Sequence, residues 1–324
     1  MSDVNGPTGP SSETTCVAIC ALTYLRPRGL ERLLDGLAAL RIPSGVEAAV
    51  VVVDNDPDRS AEPLVDDRTT GATWVGPAVH YVPEPARGIS HARNAAVAAA
   101  GELGADWICF IDDDEWPDPD WLQEFLATAE ATGADIVSGP VEPEFEGTPP
   151  GWVVDGGFFE CRRHEHNQPM HYATTSSVLI RRSVLDLVPG PFDPAFGMSG
   201  GEDTHLFAQL RELGCSLVWS ERAVVHEGIP PSRTTSDWLL RREFRRGQTL
   251  GLTLRHRGAS PLLLARRWVK GVVELGAGLG TTVAGLPRGR SRWFRGVRRM
   301  GFGVGILSGL VGRQLQEYEV IHGS

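Results

Sequence analysis

The segment Phe110-Ile111-Asp112-Asp113-Asp114-Glu115 changes from apolar to acidic at a single residue boundary. Residues 105–111 predict a buried strand, which ends where Asp112 begins the run of carboxylates. Carboxylates this close together repel one another and are costly unless a cation neutralises them. The segment therefore predicts either a divalent metal site at a strand end or a solvated acidic turn that complements the start of the next helix.

Strands and helices alternate around this segment. The predicted strands lie at residues 15–22, 48–53, 80–82 and 105–111, and the predicted helices lie at residues 28–40, at residues 89–100 and from Pro119 onward. This alternation predicts an α/β fold, a doubly wound, mostly parallel sheet with helices on both faces. Ligands bind such sheets at the carboxyl ends of the strands. The first candidates for a site are therefore Thr23, Tyr24, Asp54 and Asn55, beside residues 112–115.

The second half of the chain has a looser pattern. Its predicted elements are a strand at residues 176–181, a helix at 204–213, strands at 217–219 and 223–225, and arginine-rich helices from residue 235 onward. The apolar piece at residues 271–286 is 16 residues long and contains Glu274. That length is short of the roughly 20 residues needed to span a bilayer. We expect this piece to lie on, or dip into, a membrane interface.

The charges are divided unevenly along the chain. Residues 1–225 carry 14 Lys and Arg against 35 Asp and Glu, whereas residues 226–313 carry 17 against 4. An acidic body with a basic C-terminal segment suggests that the two parts meet different partners. Apolar runs interleave with the basic residues, which favours an anionic membrane surface over nucleic acid as the partner of this segment.

The overall composition limits the class of protein and its compartment. With 41% hydrophobic and 22% charged residues, the chain is neither disordered nor collagen-like. The five scattered cysteines, Cys16, Cys20, Cys109, Cys161 and Cys215, are expected to be reduced, and the Cys16–Cys20 pair lacks the spacing of a zinc site. Residues 1–14 have no signal-peptide pattern and predict a flexible tail, so we expect the chemistry to occur in the cytoplasm.

Three further sequence features have both a chemical and a structural interpretation. Asp203, in Gly200-Gly201-Glu202-Asp203, is either a general base or a helix N-cap. His226, at the end of the strand predicted at residues 223–225, is either a ligand or a structural histidine. Arg93 either contacts a diphosphate or is an ordinary surface arginine.

Taken together, these features resemble glycosyltransferase family 2, inverting enzymes with the GT-A fold, over about residues 15–250. The motifs that carry the resemblance are Thr23-Tyr24-Leu25-Arg26, Val52-Val53-Asp54-Asn55, Glu84-Pro85-Ala86-Arg87-Gly88-Ile89, Ala92-Arg93-Asn94, Ile111-Asp112-Asp113-Asp114-Glu115, Val178-Leu179-Ile180-Arg181-Arg182 and Gly201-Glu202-Asp203. Within that family the chain looks most like bacterial enzymes that build exopolysaccharide repeat units on polyprenyl-diphosphate lipids. Thr174-Thr175-Ser176-Ser177 stands where the family often has Asn, which leaves the donor-sugar contacts open.

The resemblance implies a role for each matching residue. Asp203 would be the catalytic base, and Asp114 and His226 would hold a divalent metal, Mn²⁺ or Mg²⁺. Thr23 and Asp54 would hold the nucleotide base and Asp112 would lie near the ribose. Further substrate-binding positions would be Tyr24, Arg26, Arg93, Asp113, Trp152 and Glu202.

The resemblance also implies a reaction and an organisation. A sugar would pass, with inversion, from a nucleotide-diphosphate sugar, with UDP favoured, to a hydroxyl of a saccharide or polyprenyl-linked acceptor. Residues 15–140 would form the nucleotide-binding half and residues 141–250 the acceptor half of a GT-A domain. Residues 251–324 would form a helical extension that places the enzyme at the inner face of the cell membrane.

Three other functions compete with this one. A glycosyltransferase acting on a small natural product would share every motif above. A phosphohydrolase with an Asp-x-Asp pair is disfavoured, because its pair follows the first strand and this acidic run follows the fourth. A non-catalytic nucleotide-sugar-binding scaffold on the membrane is disfavoured because Asp114, Asp203 and His226 all occur in one chain.

Overall fold

The computed structural model describes residues 14–69, 74–198 and 200–313 of the 324-residue chain. Its strands are β1 (Thr15–Thr23), β2 (Val46–Asp54), β3 (Ala78–Pro83), β4 (Trp107–Asp112), β5 (Glu115–Pro117), β6 (Ile136–Ser138), β7 (Val141–Phe145), β8 (Ser177–Arg181), β9 (Leu217–Trp219) and β10 (Val225–Ile229). Its helices are α1 (Pro27–Ala38), α2 (Glu62–Thr69), α3 (Ile89–Glu102), α4 (Trp121–Thr132), α5 (Gly151–Asp155), α6 (Arg182–Leu185), α7 (Glu202–Glu212), α8 (Ser236–His256), α9 (Pro261–Gly285) and α10 (Arg290–Leu310). Apart from Thr14, the predicted tail at residues 1–14 lies outside the described residues, as does the end of the predicted extension, residues 314–324.

Seven of the described strands form the central sheet, in the order β3-β2-β1-β4-β8-β6-β9. β3, β2, β1 and β4 are parallel, β8 runs antiparallel to its neighbours β4 and β6, and β6 pairs in parallel with β9. The four consecutive valines of β2 at residues 50–53 are fully buried, as a strand covered on both faces requires. The predicted, mostly parallel α/β sheet is confirmed.

Helices cover both faces of this sheet, and each face has its own apolar core. On one face, Leu30, Leu33 and Leu34 of α1 pack with Trp121 of α4 against the strands. On the other face, the alanines of α3 at positions 92, 96 and 100 pack with Leu206 of α7. The leucine periodicity of α1 and the alanine-rich pattern of α3 therefore fix which side of each helix is buried.

A second, three-stranded sheet with the order β5-β10-β7 starts directly after the acidic run. It pairs Glu115 of β5 with Glu227 of β10. β10 covers residues 225–229 rather than the predicted 223–225, and neither β5 nor β7 was predicted. These strands are short and rich in Pro and Glu, so they lack the alternating hydrophobic pattern that predicts a strand. They form because distant segments of the chain pair with one another. The helix predicted from Pro119 begins at Trp121.

The C-terminal helices α8, α9 and α10 pack closely together. Helix α8 continues without a break past residue 250, where the sequence analysis ended the GT-A domain. Glycines make the contact possible, since a Cβ on Gly305 of α10 would lie 2.0 Å from the carbonyl oxygen of Phe244 in α8. Phe294 anchors α10 on the α/β domain by packing against Trp152 and Phe158. In the described ranges, no helix combines the length and the apolar character that crossing a bilayer requires. The five cysteines, all of them in the described ranges, are free.

Candidate active site

The acidic run lies at the carboxyl edge of the central sheet, where β4 passes into β5. Asp112 ends β4, Glu115 starts β5, and the pairing of β5 with β10 brings Glu227 beside them. Five carboxylates from two distant parts of the chain, at positions 112–115 and 227, therefore meet at one edge of the fold.

Side chains from the turn after β1 hold the acidic run in place. The Thr23 hydroxyl donates to Oδ2 of Asp113 at 3.0 Å. The Arg26 guanidinium donates to Oδ1 of the same carboxylate at 2.9 Å and to Asp114 at 3.3 Å. Thr23 and Arg26 therefore contact the acidic run itself, and Tyr24 between them lines the adjoining cavity beneath the guanidinium of Arg87, 5.2 Å from its ring centre.

Arg233 approaches the acidic run from the opposite side. It lies in a short 3₁₀ helix before α8 and is 7% exposed. One Nη donates to Asp114, and the other donates to Oε1 of Glu227 at 2.8 Å. A buried guanidinium thus joins the acidic run of the first half of the chain to β10 of the second half.

Burial and crowding keep these carboxyl groups from ionising readily. Burial, opposed by Arg93 and reinforced by Asp114 and Asp113, raises the pKa of Asp112 to about 7. Burial also raises the pKa of Asp113 to about 6, against the pull of Arg26. The pKa values of Glu115 and Glu227 are raised as well, chiefly by burial and further by neighbouring carboxylates. Burial and repulsion between the carboxylates therefore outweigh the local arginines.

This donor set fits a hard divalent cation. Mg²⁺ and Mn²⁺ take carboxylate oxygens, keep several positions for water and substrate phosphate, and relieve repulsion between crowded carboxylates. Asp114 and Glu227 present such oxygens on the same cavity. The acidic run is therefore not a solvated turn, because Asp113 and Glu115 are both buried.

Two cavities open at this edge and share three residues. The first has a volume of about 300 Å³, and its lining includes Thr23, Tyr24, Arg26, Asn55, Arg87, Asp112, Asp113, Asp114, Glu227, Arg233 and Arg242. The second has a volume of about 540 Å³ and lies between β7, the segment 157–164 and α8. Asp112, Glu227 and Arg242 line both cavities. A ligand in the first cavity would therefore adjoin one in the second.

Arg93 connects the acidic run to the start of α7. It is 4% exposed, forms an ion pair with Glu202 and lies 3.8 Å from Oδ1 of Asp112. Its guanidinium packs over the ring of Phe192. Arg93 is therefore a buried link between α3, β4 and α7, not a surface arginine.

Asp203 follows directly in the first turn of α7, and its carboxylate accepts from the Thr204 amide and hydroxyl. It does not act as the N-cap, because that position is Gly201. Arg93 thus connects the pair Glu202-Asp203 to the acidic run, since it contacts both Glu202 and Asp112. Glu202 is buried against Arg93, whereas Asp203 is half-buried.

The structure does not bring His226 to the acidic run. Its Nε2 donates to Asp118 at 2.9 Å, its Nδ1 lies 3.1 Å from Glu144, and its ring stacks on Trp116. Neighbouring residues on a strand point to opposite faces, and on β10 it is Glu227 that faces the cavity. His226, the predicted metal ligand, does not line this cavity.

Asp54 and Trp152 also line neither cavity. Both carboxylate oxygens of Asp54 accept hydrogen bonds within the chain, from the Asp56 and Ala61 amides and the Tyr81 hydroxyl. Asn55 lines the cavity at this strand end instead. Trp152 packs in the contact between α5 and α10 and lies beneath Arg290, 4.3 Å from the ring centre. Its placement indicates that it attaches the C-terminal helices.

Sequence reasoning did not assign Glu227, Arg233 or Arg242. Arg233 follows a proline pair in a turn, in a segment with 17 cations among 88 residues, and nothing in its local sequence separates it from the others. The pairing of β10 with β5 and β7 places Glu227, whereas the 3₁₀ helix before α8 and α8 itself carry Arg233 and Arg242.

Comparison with known proteins shows which family the chain resembles. The profile described as Glycosyl transferase family 2 matches residues 18–188. The succinoglycan biosynthesis protein ExoM of Rhizobium meliloti (strain 1021) is 33% identical over 309 residues, which is 95% of this chain and 97% of that protein. The pre-mycofactocin glycosyltransferase of Mycobacterium tuberculosis (strain ATCC 25618 / H37Rv) is 29% identical over 85% of this chain, which spans 55% of that relative.

A solved structure shares the architecture. The mannosyltransferase PcManGT from Pyrobaculum calidifontis, in complex with GDP-Man and Mn²⁺, superimposes with a TM-score of 0.61 at 19% identity, covering 94% of this chain and 91% of that chain. At this level of identity the likeness concerns the fold, and it confirms the predicted GT-A architecture.

Proposed function

The chain belongs to glycosyl transferase family 2, and from that premise we propose that it moves a sugar, with inversion, from a nucleotide-diphosphate sugar to an acceptor hydroxyl. The observation that carries the proposal is the meeting of the acidic run, Arg233 and Glu227 around a cavity at the carboxyl edge of the sheet. That edge is where ligands bind α/β sheets of this kind.

The donor would occupy the first cavity. Asp114 would hold a divalent cation, with Glu227 as a second carboxylate facing the same space. When bound, this cation would stabilise the negative charge that develops on the leaving diphosphate. Arg26 and Arg233 line the same space and can donate to phosphate oxygens. Asp112 and Asn55, which also line this cavity, would contact the ribose and the base.

Asp203 would act as the base for the acceptor. It would remove the proton of the attacking hydroxyl while that oxygen approaches the anomeric carbon from the face opposite the diphosphate. Because the acceptor displaces the diphosphate directly, no enzyme nucleophile is needed and the configuration inverts. Arg93 and Glu202 would act indirectly, by fixing the first turn of α7 relative to β4.

The second cavity would receive the acceptor. Its larger volume and its shared wall with the first cavity suit a saccharide that must meet the donor sugar. The relative named for succinoglycan biosynthesis supports a growing polysaccharide as the acceptor, and the polyprenyl lipid carrier is what the family resemblance implies. The relative named for pre-mycofactocin supports a small-molecule acceptor as the second candidate.

We also place the enzyme at an anionic membrane on the cytoplasmic side. Large apolar side chains are exposed along α9, among them Leu262, Trp268, Val269, Val272 and Val283. Arg266, Arg267 and Lys270 lie among them on the same helix. An apolar face combined with cations is the composition of helices that bind a lipid interface. Membrane contact would bring the active site to a lipid-linked acceptor.

The experiment is a screen of UDP- and GDP-sugars, with and without Mn²⁺, using wild-type protein and two variants. Asp114→Ala should lose metal-dependent donor binding, whereas Asp203→Asn should bind donor normally and lose turnover. Asp120→Asn, an exposed carboxylate outside both cavities, serves as the matched control. Near-normal turnover by Asp203→Asn would remove the base assignment, and donor binding without turnover in the wild type would favour the scaffold.

A further inference from the structure

A second group of metal-ligating side chains lies outside both cavities. Asp193, His205 and His256 come from the loop before a 3₁₀ helix, from α7 and from the last residue of α8. One ligand atom of each lies within 4.8 Å of the other two. Nε2 of His256 donates to Oδ2 of Asp193 at 2.7 Å. None of the three residues lines the first or the second cavity.

His205 is buried with an unused nitrogen. Its side chain is only 5% exposed, and its Nδ1 has no hydrogen-bond partner among the described residues. An unpartnered buried polar atom is costly and calls for an explanation. Burial lowers the pKa of His205, which favours the neutral imidazole, the form that binds metals.

The surroundings hold these side chains in place. Oδ1 of Asp193 accepts from the Ala195 amide at 2.8 Å, and its carbonyl accepts from the Ser90 hydroxyl at 2.9 Å. The ring of Phe196 packs against both imidazoles, with ring centres about 5 Å apart. Two imidazoles and a carboxylate are thus assembled on separate elements before any ligand arrives.

We propose that Asp193, His205 and His256 bind a divalent transition metal of the Zn²⁺ class, with water completing the coordination. Two imidazoles and one carboxylate are a common ligand set for such ions. Ligand atoms about 2.1 Å from a tetrahedral ion lie roughly 3.4 Å apart, so only small side-chain movements separate the present arrangement from a bound one. His256 is 41% exposed, which gives the ion access and leaves room for water.

The site would fasten the C-terminal helices to the catalytic domain. His256 ends α8, and His205 lies two residues after Asp203 in α7. A metal shared between them would tie the end of α8 to the helix turn that carries the proposed base. Its role would be structural, and it stands independently of the proposed chemistry at Asp114.

The test is titration of the full-length, metal-free protein with Co²⁺ and Zn²⁺, followed by Co²⁺ visible absorption and calorimetry. The experiment uses the Asp114→Ala background, so that the proposed catalytic cation does not contribute. We expect one site with a Co²⁺ spectrum of imidazole coordination, and a rise in melting temperature on metal addition. His256→Ala should weaken binding more than roughly tenfold, since losing even an outer partner of a metal ligand costs that much.

Two further variants complete the test. His80→Ala removes an exposed histidine elsewhere, on β3, and should leave binding unchanged. Asp193→Asn keeps the shape of the side chain and should weaken binding as His256→Ala does. Equal affinity in the Asp114→Ala protein with and without His256→Ala, or no saturable site at all, would overturn the proposal.

Discussion

Replacing Arg93 by methionine should destabilise the protein strongly. Methionine keeps a long apolar side chain against Phe192 but removes the positive charge between Glu202 and Asp112. Glu202 is 2% exposed, so its carboxylate would be left buried and unpaired. Removing one partner of a buried ion pair costs about 3–5 kcal/mol. We expect the free energy of unfolding to fall by that amount at pH 7.

The pairing itself is measured by a double-mutant cycle. Glu202→Gln should also destabilise, because it leaves Arg93 facing only Asp112 at 3.8 Å. In the double variant Arg93→Met/Glu202→Gln neither charge of the pair remains, so its cost should fall short of the sum of the single costs by about 2–3 kcal/mol. Urea unfolding followed by circular dichroism, in the presence of a chelator, gives each free energy.

A surface pair provides the control for this cycle. Arg241 and Asp237 form an exposed ion pair one turn apart on α8, with both side chains more than two-thirds exposed. Arg241→Met should cost less than about 0.5 kcal/mol. If Arg93→Met cost no more than Arg241→Met, or if the costs of Arg93→Met and Glu202→Gln simply added, the buried link between β4 and α7 would not exist in solution.

Three further predictions concern packing, ionisation and the membrane. Gly305→Ala should lower the melting temperature, since its Cβ would lie 2.0 Å from the Phe244 carbonyl oxygen. Gly276→Ala on α9 should be neutral or stabilising, because a Cβ there meets nothing within 4 Å. Equal effects of the two substitutions would contradict the close contact of α8 and α10. Asp113 has a pKa raised from an unfolded value near 3.9 to about 6, so in metal-free protein its contribution to stability is present below pH 4 and is lost as the pH rises through 6. In the presence of a chelator, the free energy of unfolding of the wild type relative to Asp113→Asn should therefore fall by up to about 3 kcal/mol between pH 4 and pH 7. Adding Mn²⁺ should restore it. A difference between the two proteins that does not change with pH would argue against the raised pKa. Sedimentation of the protein with liposomes should require anionic lipid and weaken as the salt concentration rises. Trp268→Ser or Arg266→Glu should reduce it, whereas Arg222→Glu on the domain body should not. Binding that does not depend on salt would refute an interfacial α9.

The elements that could be predicted from sequence are those with a strong local pattern. The leucines of α1 repeat at helical spacing, and the valines of β2 form a continuous apolar run, so both elements follow from the residues alone. The acidic run was identified for the same reason, because four consecutive carboxylates after an apolar strand form a local feature. Thr23 and Arg26 were found through motif resemblance, and the structure places both against Asp113.

The remaining parts of the site depend on long-range pairing. The sheet β5-β10-β7 joins segments about 110 residues apart, and its register decides that Glu227 faces the cavity while His226 faces Asp118 and Glu144. A shift of one residue exchanges the two faces of a strand, and local sequence does not fix that choice. Asp54 shows a related ambiguity. A carboxylate after a strand can bind a ligand or close its own loop, and here it closes the loop at Ala61.

The most direct test of the account is phosphorus relaxation in a bound nucleoside diphosphate. With Mn²⁺ present, the wild-type protein should strongly enhance the ³¹P relaxation of UDP or GDP, because the proposal places the ion at Asp114 beside the diphosphate. Asp203→Asn should keep the full enhancement, and Asp114→Ala should lose it. An enhancement that survives Asp114→Ala, or that is absent from the wild type with both nucleotides, would contradict a metal-bound diphosphate at the acidic run.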